Sequence, residues 1–159
     1  MKLKIKSDDP LLTQDVAQKL MEELPKGSVV LLEGDLGSGK TTFTKGVGKA
    51  LGIKRAIKSP TYTIIKEYPL EDGGLLVHVD AYRLEESSED TVDLLYYLTD
   101  QNYTFIEWSQ YVKDALPQDY LKVHFIPQEA LNERVIIFEP EGMVYENVVS
   151  QLEERLGHE

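Results

Sequence analysis

The sequence contains no cysteine, which excludes disulfide bonds and thiolate-ligated metal sites. It also lacks an apolar run close to the ~20 residues that a membrane-spanning helix needs. Residues 1–6 alternate polar and apolar side chains, so they predict a strand and not the continuous apolar core of a signal peptide. We therefore expect a cytoplasmic protein that does not enter a membrane, and its 159 residues predict a single domain, residues 1–159.

Positive charge is scarce, since 17 Lys and Arg residues against 28 Asp and Glu residues give a formal net charge of −11. An acidic surface repels phosphate backbones, which argues against nucleic-acid binding by this chain alone. Residues 36–66 are the local exception, with seven basic and no acidic residues, so the remaining chain carries −18. Such a basic segment suits an anionic ligand, although a solvated helix face and loop would have the same composition.

The segment from Gly34 to Thr41 matches the pattern G-x-x-x-x-G-K-[ST] of the phosphate-binding P-loop. The apolar residues 28–33 before it predict a buried strand, and residues 40–51 after it predict a helix. Glycines let backbone N–H groups turn toward phosphate oxygens, and the helix N-terminus favours their charge. Lys40 can reach the β- and γ-phosphates, and the Thr41 hydroxyl can ligate Mg²⁺. The predicted nucleotide-binding residues of this loop are Asp35, Leu36, Gly37, Ser38, Gly39, Lys40, Thr41 and Thr42.

Two acidic residues come directly after other predicted strands. Residues 75–79 lead into Asp80, and residues 103–106 lead into Glu107. A P-loop protein needs an acid to hold Mg²⁺, usually at the end of a neighbouring strand. One of the two could ligate the metal while the other orients the attacking water, and their spacing does not divide these roles. Solvated acids at strand ends would show the same pattern.

Two further segments contain candidate functional groups. Residues 59–63 read Ser-Pro-Thr-Tyr-Thr and lie where P-loop switch segments often fall, although a turn entering a strand explains them as well. If the strand before Asp80 continues, His78, Asp80 and Tyr82 share one of its faces. Such a cluster could serve catalysis, whereas a lone histidine in a strand is more often packed or hydrogen-bonded. Arg83 could stabilise phosphate charge or pair with nearby acids.

The rest of the pattern predicts an α/β protein. Asp9-Pro10 opens a helix, residues 61–69 and 75–80 form a hairpin, and residues 85–98 form a helix. Residues 121–126 and 134–138 predict late strands, and residues 144–156 predict a closing helix. We therefore expect a three-layer P-loop NTPase fold with a mostly parallel central sheet and some antiparallel strands.

Four segments together resemble the bacterial TsaE (formerly YjeE) ATPases of tRNA threonylcarbamoyladenosine biosynthesis. They are the glycine loop through Thr42, the Ser-Pro-Thr-Tyr-Thr segment, residues 78–84 (His-Val-Asp-Ala-Tyr-Arg-Leu) and residues 106–108 (Ile-Glu-Trp). The combination of the loop with the His-x-Asp-x-Tyr-Arg-Leu segment is specific, whereas each piece alone is not. The likeness runs from about residue 7 to residue 138 and weakens after Asp114.

The resemblance implies ATP and Mg²⁺ as ligands and slow ATP hydrolysis by the isolated protein. It also implies a TsaB–TsaD partner pair, which modifies the tRNA adenosine next to the anticodon, so that tRNA is met through the complex. Carried over by position, Lys40 contacts phosphates, Thr41 and Glu107 hold Mg²⁺, and Asp80 is catalytic. The further positions carried over are Thr61 in the switch, Trp108 near the nucleotide, and Thr13 and Arg134 near the adenine or ribose.

Two other classes of P-loop protein also fit the loop. A small-molecule kinase would need an acceptor pocket and usually an arginine-rich lid, and the basic residues after residue 70 are few and scattered. A GTP switch protein commonly selects guanine with an Asn-Lys-x-Asp segment, which this sequence lacks.

Overall fold

Seven β-strands form one sheet in the computed structural model, which describes residues 2–34, 39–54, 57, 65–81, 94–129 and 133–157. Strands β1 to β7 span, in chain order, Leu3–Ser7, Val29–Glu33, Ile65–Pro69, Leu75–Asp80, Tyr103–Glu107, Tyr120–Pro127 and Arg134–Glu141. Helices α1, α2 and α3 span Pro10–Glu23, Lys40–Ala50 and Met143–Gly157, and a 3₁₀ segment spans Ser109–Ala115. The order of the strands across the sheet is β1-β7-β6-β2-β5-β4-β3.

The four central strands, β6, β2, β5 and β4, are parallel to one another. The outer strands β7, β1 and β3 are each antiparallel to the neighbour that joins them to this centre. Because β1 is antiparallel to β7, it runs in the direction of the centre, so five of the seven strands share one direction. The predicted mostly parallel sheet with some antiparallel strands is confirmed. The carboxyl ends of β2, β4 and β5 therefore meet at one edge, where open α/β sheets bind ligands.

Apolar layers cover both faces of the sheet, which confirms the predicted three-layer α/β arrangement. On the face that we call the helical face, buried residues of β2, β5 and β6 pack against α1, α2 and α3; examples are Val30, Phe105 and Phe43. On the opposite face, Val29, Leu31, Val77 and Ile106 pack against residues such as Leu94 and Val112. Central strands buried on both faces read as continuous apolar runs, as residues 29–32 do.

Local sequence signals explain where the helices begin. Asp9 caps α1 by accepting a hydrogen bond from the Leu11 N–H at 2.8 Å, and Pro10 takes the first helical position. Helix α2 begins at Lys40, and the residue before it, Gly39, has φ +110°, a left-handed conformation that favours glycine. The predicted opening of α1 at Asp9-Pro10 and the predicted start of α2 are both confirmed.

The remaining predicted elements are confirmed where the structure describes them. Strands β3 and β4 pair as the predicted hairpin, while residues 61–64 of its first arm lie outside the described residues. Residues 94–97 are helical, and residues 85–93 of that predicted helix are likewise not described. Strand β5 ends at Glu107, because Trp108 turns into a left-handed conformation. Among the described helices, none combines the length and apolarity that crossing a bilayer requires.

Candidate functional site

The start of α2 forms one wall of the site. Strand β2 ends at Glu33, and Lys40 opens α2, so the strand–loop–helix context that the P-loop pattern requires is present. The Gly39 carbonyl accepts the first helical hydrogen bond from the Phe43 N–H at 2.9 Å. Thr41 and Thr42 follow Lys40 in the first turn and are half-buried. The loop residues 35–38, which were predicted to surround the phosphates, lie outside the described residues.

The two candidate acids lie side by side at the carboxyl edge of the sheet. Asp80 is the register partner of Glu107 across the parallel pair β4–β5. Side chains alternate along a strand, and the buried Leu76 and Phe105 mark the helical face, so both acids project toward the face on which α2 packs. Two acids at adjacent strand ends, on the face that α2 covers, are compatible with the predicted division into a metal ligand and a water-orienting group.

The carboxylate of Glu107 contacts two side chains that are positively charged or donate hydrogen bonds. His78 Nε2 lies 2.6 Å from its Oε2 atom, and Lys40 Nζ lies 3.3 Å from its Oε1 atom. All three residues are buried, with exposed fractions of 0% for His78, 6% for Glu107 and 7% for Lys40. We call His78, Glu107 and Lys40 the buried cluster.

The charge state of Glu107 follows from these contacts. Burial raises the pKa of its carboxyl, but the hydrogen bond and charge interactions with His78 and Lys40 outweigh burial and lower that pKa below its ordinary value. Glu107 is therefore an ionised carboxylate at neutral pH. Because a carboxylate can only accept hydrogen bonds, His78 Nε2 is the donor in the 2.6 Å contact.

Trp108 lies next to Lys40 of the buried cluster. The Lys40 Nζ atom lies 5.1 Å from the centre of the indole ring, a cation–π distance. Trp108 has φ 60° and ψ 46°, which is uncommon for a residue with a large side chain. This conformation takes the chain out of β5 and into the 3₁₀ segment.

A cleft of about 820 Å³ opens beside Lys40 and Trp108. Its further polar lining includes Glu33, Gln110, Lys113 and Lys122. The volume is in the range of small-molecule sites. Spacing along the chain did not predict this cleft, because its walls come from β2, β6 and the 3₁₀ segment, which are distant in sequence.

Thr13 and Arg134, the two residues assigned to the adenine or ribose, are linked to each other through Ser7, and Arg134 reaches Gly39. The Thr13 hydroxyl is buried and lies 2.7 Å from the Ser7 hydroxyl, and Ser7 is the register partner of Arg134 in the β1–β7 pair. The Arg134 side chain in turn lies close to the Cα atom of Gly39, since an added Cβ there would be 3.8 Å from its Nε atom. The antiparallel pairing thus brings Thr13, Ser7 and Arg134 together, with Arg134 close to Gly39 at the start of α2, and sequence reasoning missed Ser7.

The donor set fits Mg²⁺ held partly by a nucleotide. In the described parts of the chain, no three His, Asp or Glu side chains are grouped so as to hold a metal ion by themselves. Mg²⁺ usually binds to one or two carboxylates, keeps several waters and takes substrate phosphate oxygens. Glu107 and the Thr41 hydroxyl are compatible with that mode. Thr61, assigned to a switch, lies outside the described residues.

Comparisons with known proteins decide the family. The profile described as "Threonylcarbamoyl adenosine biosynthesis protein TsaE" matches residues 7–136. The chain belongs to the TsaE family. The tRNA threonylcarbamoyladenosine biosynthesis protein TsaE of Bacillus subtilis is 42% identical over 94% of this chain and 93% of its own length. Its namesake in Streptomyces coelicolor is 38% identical over 69% of this chain and 76% of its own length.

A solved structure agrees with the fold of this TsaE-family chain. The crystal structure of Bacillus subtilis YdiB superposes with a TM-score of 0.81 at 35% sequence identity. The match covers 98% of this chain and 96% of the other. The predicted family and the predicted α/β fold are thereby confirmed, whereas the roles assigned to single residues stay predictions.

Proposed function

We propose that this chain is a Mg²⁺-dependent ATPase that supports a TsaB–TsaD type complex in threonylcarbamoylation of the tRNA adenosine next to the anticodon. The observation that carries the ATPase part is the buried cluster at the start of a P-loop helix, with Asp80 in register beside Glu107. Few structural roles require a lysine, a glutamate and a histidine to be buried together at a ligand-binding sheet edge. The family and the names of its members support the tRNA part.

Each described residue has a specific task in this proposal. Lys40 contacts the β- and γ-phosphates and offsets their charge, while Thr41 and Glu107 hold Mg²⁺. Bound Mg²⁺ supplies neutralisation of the charge that develops on the phosphoryl oxygens. Asp80 orients the water that attacks the γ-phosphate in line with the leaving oxygen. Most of the rate gain comes from this positioning and from electrostatic stabilisation.

Lys40 can move from Glu107 to a phosphate without a large rearrangement. Its ammonium group carries three N–H donors on a flexible stem, and the contact with Glu107 uses one of them. The Trp108 ring also lies beside Lys40, with its centre 5.1 Å from Lys40 Nζ. In the proposal, Thr13 and Arg134 contact the adenine or ribose on the far side of Gly39, and Thr61 belongs to a switch segment.

The family and the net charge support the proposed partners and location. A net charge of −11 opposes direct tRNA binding, so the tRNA is contacted through the TsaB–TsaD type complex in the cytoplasm. The exposed lysines of the basic segment, such as Lys45 and Lys54, are available to an acidic partner surface.

The test compares Lys40→Ala with Lys45→Ala, a matched control on the exposed side of the same helix. Phosphate release from ATP is measured with and without Mg²⁺, alone and with a TsaB–TsaD pair. We expect Lys40→Ala to abolish hydrolysis, Lys45→Ala to leave the basal rate unchanged, and the pair to depend on the wild-type chain for tRNA modification over many turnovers. Wild-type activity in Lys40→Ala, or preference for GTP in competition, would contradict the proposal.

The cleft favours a second candidate, a small-molecule kinase, because it would provide an acceptor pocket of about 820 Å³ beside Lys40. Labelled γ-phosphate of ATP distinguishes the two activities. Release of free phosphate only supports the ATPase, and transfer of label to an added small acceptor supports the kinase.

A further inference from the structure

His78 occupies a position where packing alone favours an apolar side chain. It lies in the middle of β4 with no exposed surface, between the buried residues Val77 and Val79, and its register partner in β5 is the buried Phe105. A buried polar ring is costly unless its nitrogen atoms are hydrogen-bonded. Within the described residues, His78 Nδ1 has no hydrogen-bond partner. The single strong polar contact of the ring is therefore the one with Glu107.

The two carboxylate oxygens of Glu107 have different partners. Oε2 accepts a short hydrogen bond of 2.6 Å from a ring that is fixed by packing on every side. Oε1 faces Lys40 Nζ at 3.3 Å, and the lysine stem is flexible. The hydrogen bond from His78 thus fixes Oε2. Oε1 points toward the start of the P-loop helix, and its partner Lys40 can move to another group.

We infer that His78 is a positioning residue that locks Oε2 of Glu107 and thereby directs Oε1 toward the Mg²⁺ position of the nucleotide site. The inference rests on the proposed function, because it needs Glu107 to be a metal ligand. Hydrogen bonds to ligating carboxylates orient them, and the loss of such a partner typically lowers metal affinity by about 10–100-fold. His78 itself does not touch the metal or the nucleotide.

The fluorescence of Trp108 can be used to measure metal binding without relying on catalysis. It is the single tryptophan of the chain, and its ring centre lies 5.1 Å from Lys40 Nζ. The fluorescence of Trp108 at saturating ADP, titrated with Mg²⁺, gives the Mg²⁺ concentration at half-change. A parallel ADP titration in EDTA gives nucleotide affinity without metal.

The variants separate the hydrogen bond from packing. His78→Leu removes the donor, His78→Gln retains an amide N–H near the Nε2 position, and His78→Asn has an amide one bond too short to reach it. We expect His78→Leu and His78→Asn to raise the Mg²⁺ midpoint by about 10–100-fold. His78→Gln should recover most of this loss, and ADP affinity in EDTA should stay unchanged. His124→Gln, a change to a partly exposed histidine that also contacts a glutamate, is the control and should leave the midpoint unchanged.

Each alternative result has one meaning. If wild-type fluorescence shows no Mg²⁺-dependent response with ADP, the proposed function fails. If the wild type responds and the midpoint of His78→Leu equals it, the inference is wrong while the proposed function stands. A parallel loss of ADP affinity in EDTA would show a merely structural role and also overturn the inference. If His78→Leu does not fold, the difference between His78→Gln and His78→Asn decides, and equal midpoints for these two variants overturn it.

Discussion

Two histidine–glutamate clusters lie within the described residues, in very different surroundings. In the buried cluster, His78 and Glu107 have side-chain exposures of 0% and 8%. In the second cluster, which we call the open cluster, His124 lies between Glu33 and Glu139, and the three side chains are 27–33% exposed. The buried cluster lies on the helical face at the carboxyl edge of the parallel centre, and the open cluster spans β2, β6 and β7 on the opposite face.

The difference shows why similar residue pairs have different consequences. Charges are screened by water and salt in the open cluster, so each contact there contributes little. The side chains of the buried cluster have little contact with water, and the carboxylate stays ionised because His78 and Lys40 lower its pKa against the effect of burial. Only the buried cluster can hold a carboxylate in one charge state and one orientation. The following predictions test this contrast, from the largest expected effect to the smallest.

The largest effect is expected from neutralising the glutamate of each cluster. Glu107→Gln removes the negative charge that binds Mg²⁺ in the proposed function. The rate of ATP hydrolysis should fall by about 100-fold or more, which is comparable to the loss of a main electrostatic element of a site. Glu139→Gln makes the same chemical change in the open cluster and should leave the rate unchanged. Steady-state phosphate release at saturating Mg²⁺ measures both.

The same two variants also provide the result that would contradict this prediction. Equal rates for Glu107→Gln and Glu139→Gln would remove Glu107 from the mechanism. In that case Asp80, its register partner, becomes the metal ligand, as the sequence pattern left open. Asp80→Asn would then be the variant that raises the Mg²⁺ concentration required for hydrolysis.

The second effect concerns stability. His78→Leu leaves Glu107 buried with Lys40 as its remaining described ion-pair partner, so we expect a loss of about 3 kcal/mol, the lower end of the cost of breaking a buried pair. That loss corresponds to a fall in Tm of about 6–12 °C for a chain of this size. His124→Leu should cost about 1 kcal/mol or less, because its partners stay hydrated. Denaturant unfolding of both variants measures the two losses.

The pH dependence of this loss has a definite sign. In the wild type, the lowered pKa of Glu107 contributes stability above the carboxyl's ordinary pKa, and that contribution disappears as the pH falls through the folded value. Without the hydrogen bond from His78, burial raises the pKa of the Glu107 carboxyl more strongly and disfavours its ionised form. The stability gap between wild type and His78→Leu should therefore narrow as the pH falls below about 4.5. A gap that is constant with pH would mean that lost packing, and not the carboxylate, causes the effect.

The sequence predicts which residues belong to the candidate site better than it predicts how they are arranged. The glycine loop identifies Lys40, and apolar runs that end in acids identify Asp80 and Glu107, because these are local patterns. Strand order and register are set by pairing between distant segments, so the adjacency of Asp80 and Glu107 and the His78–Glu107 contact could not be derived. The left-handed turn at Trp108 also has no local signal, since its residue type does not favour that conformation.

The alternation of buried and partly exposed residues in β6 is a local pattern that the sequence does show. In β6, the buried Leu121, Val123 and Phe125 alternate with Lys122 and His124, a period of two that predicts one covered and one hydrated face. What this pattern could not show is that Ser7 would lie opposite Arg134 and beside Thr13. That arrangement depends on β1 pairing with β7 across almost the whole length of the chain.

The third effect tests the packing that places the buried cluster under α2. A methyl group at Gly46 would lie 2.6 Å from the Gln14 carbonyl oxygen, a backbone atom of α1 that cannot move aside alone. At Gly48, the nearest atom would be Ile57 Cγ1 at 2.8 Å, which belongs to a side chain that can adjust. Gly46→Ala should lose about 1–3 kcal/mol despite the better helix propensity of alanine, and Gly48→Ala should lose clearly less. Thermal unfolding ranks the two, and the reverse order would contradict a close α1–α2 contact.

The smallest effect belongs to the open cluster and depends on salt. His124→Gln removes the possibility of a charged partner for Glu33 and Glu139 while keeping an amide that can hydrogen-bond, so the expected change in unfolding free energy is about 0.5 kcal/mol at low salt. At 1 M salt the Debye length falls to about 3 Å, and the difference from the wild type should vanish. The His78→Gln variant should show a much weaker salt dependence, because the side chains of the buried cluster are almost completely shielded from bulk solvent. An equal salt sensitivity of His78→Gln would mean that bulk salt screens Glu107 as it screens the open cluster, and it would contradict the contrast between the two clusters.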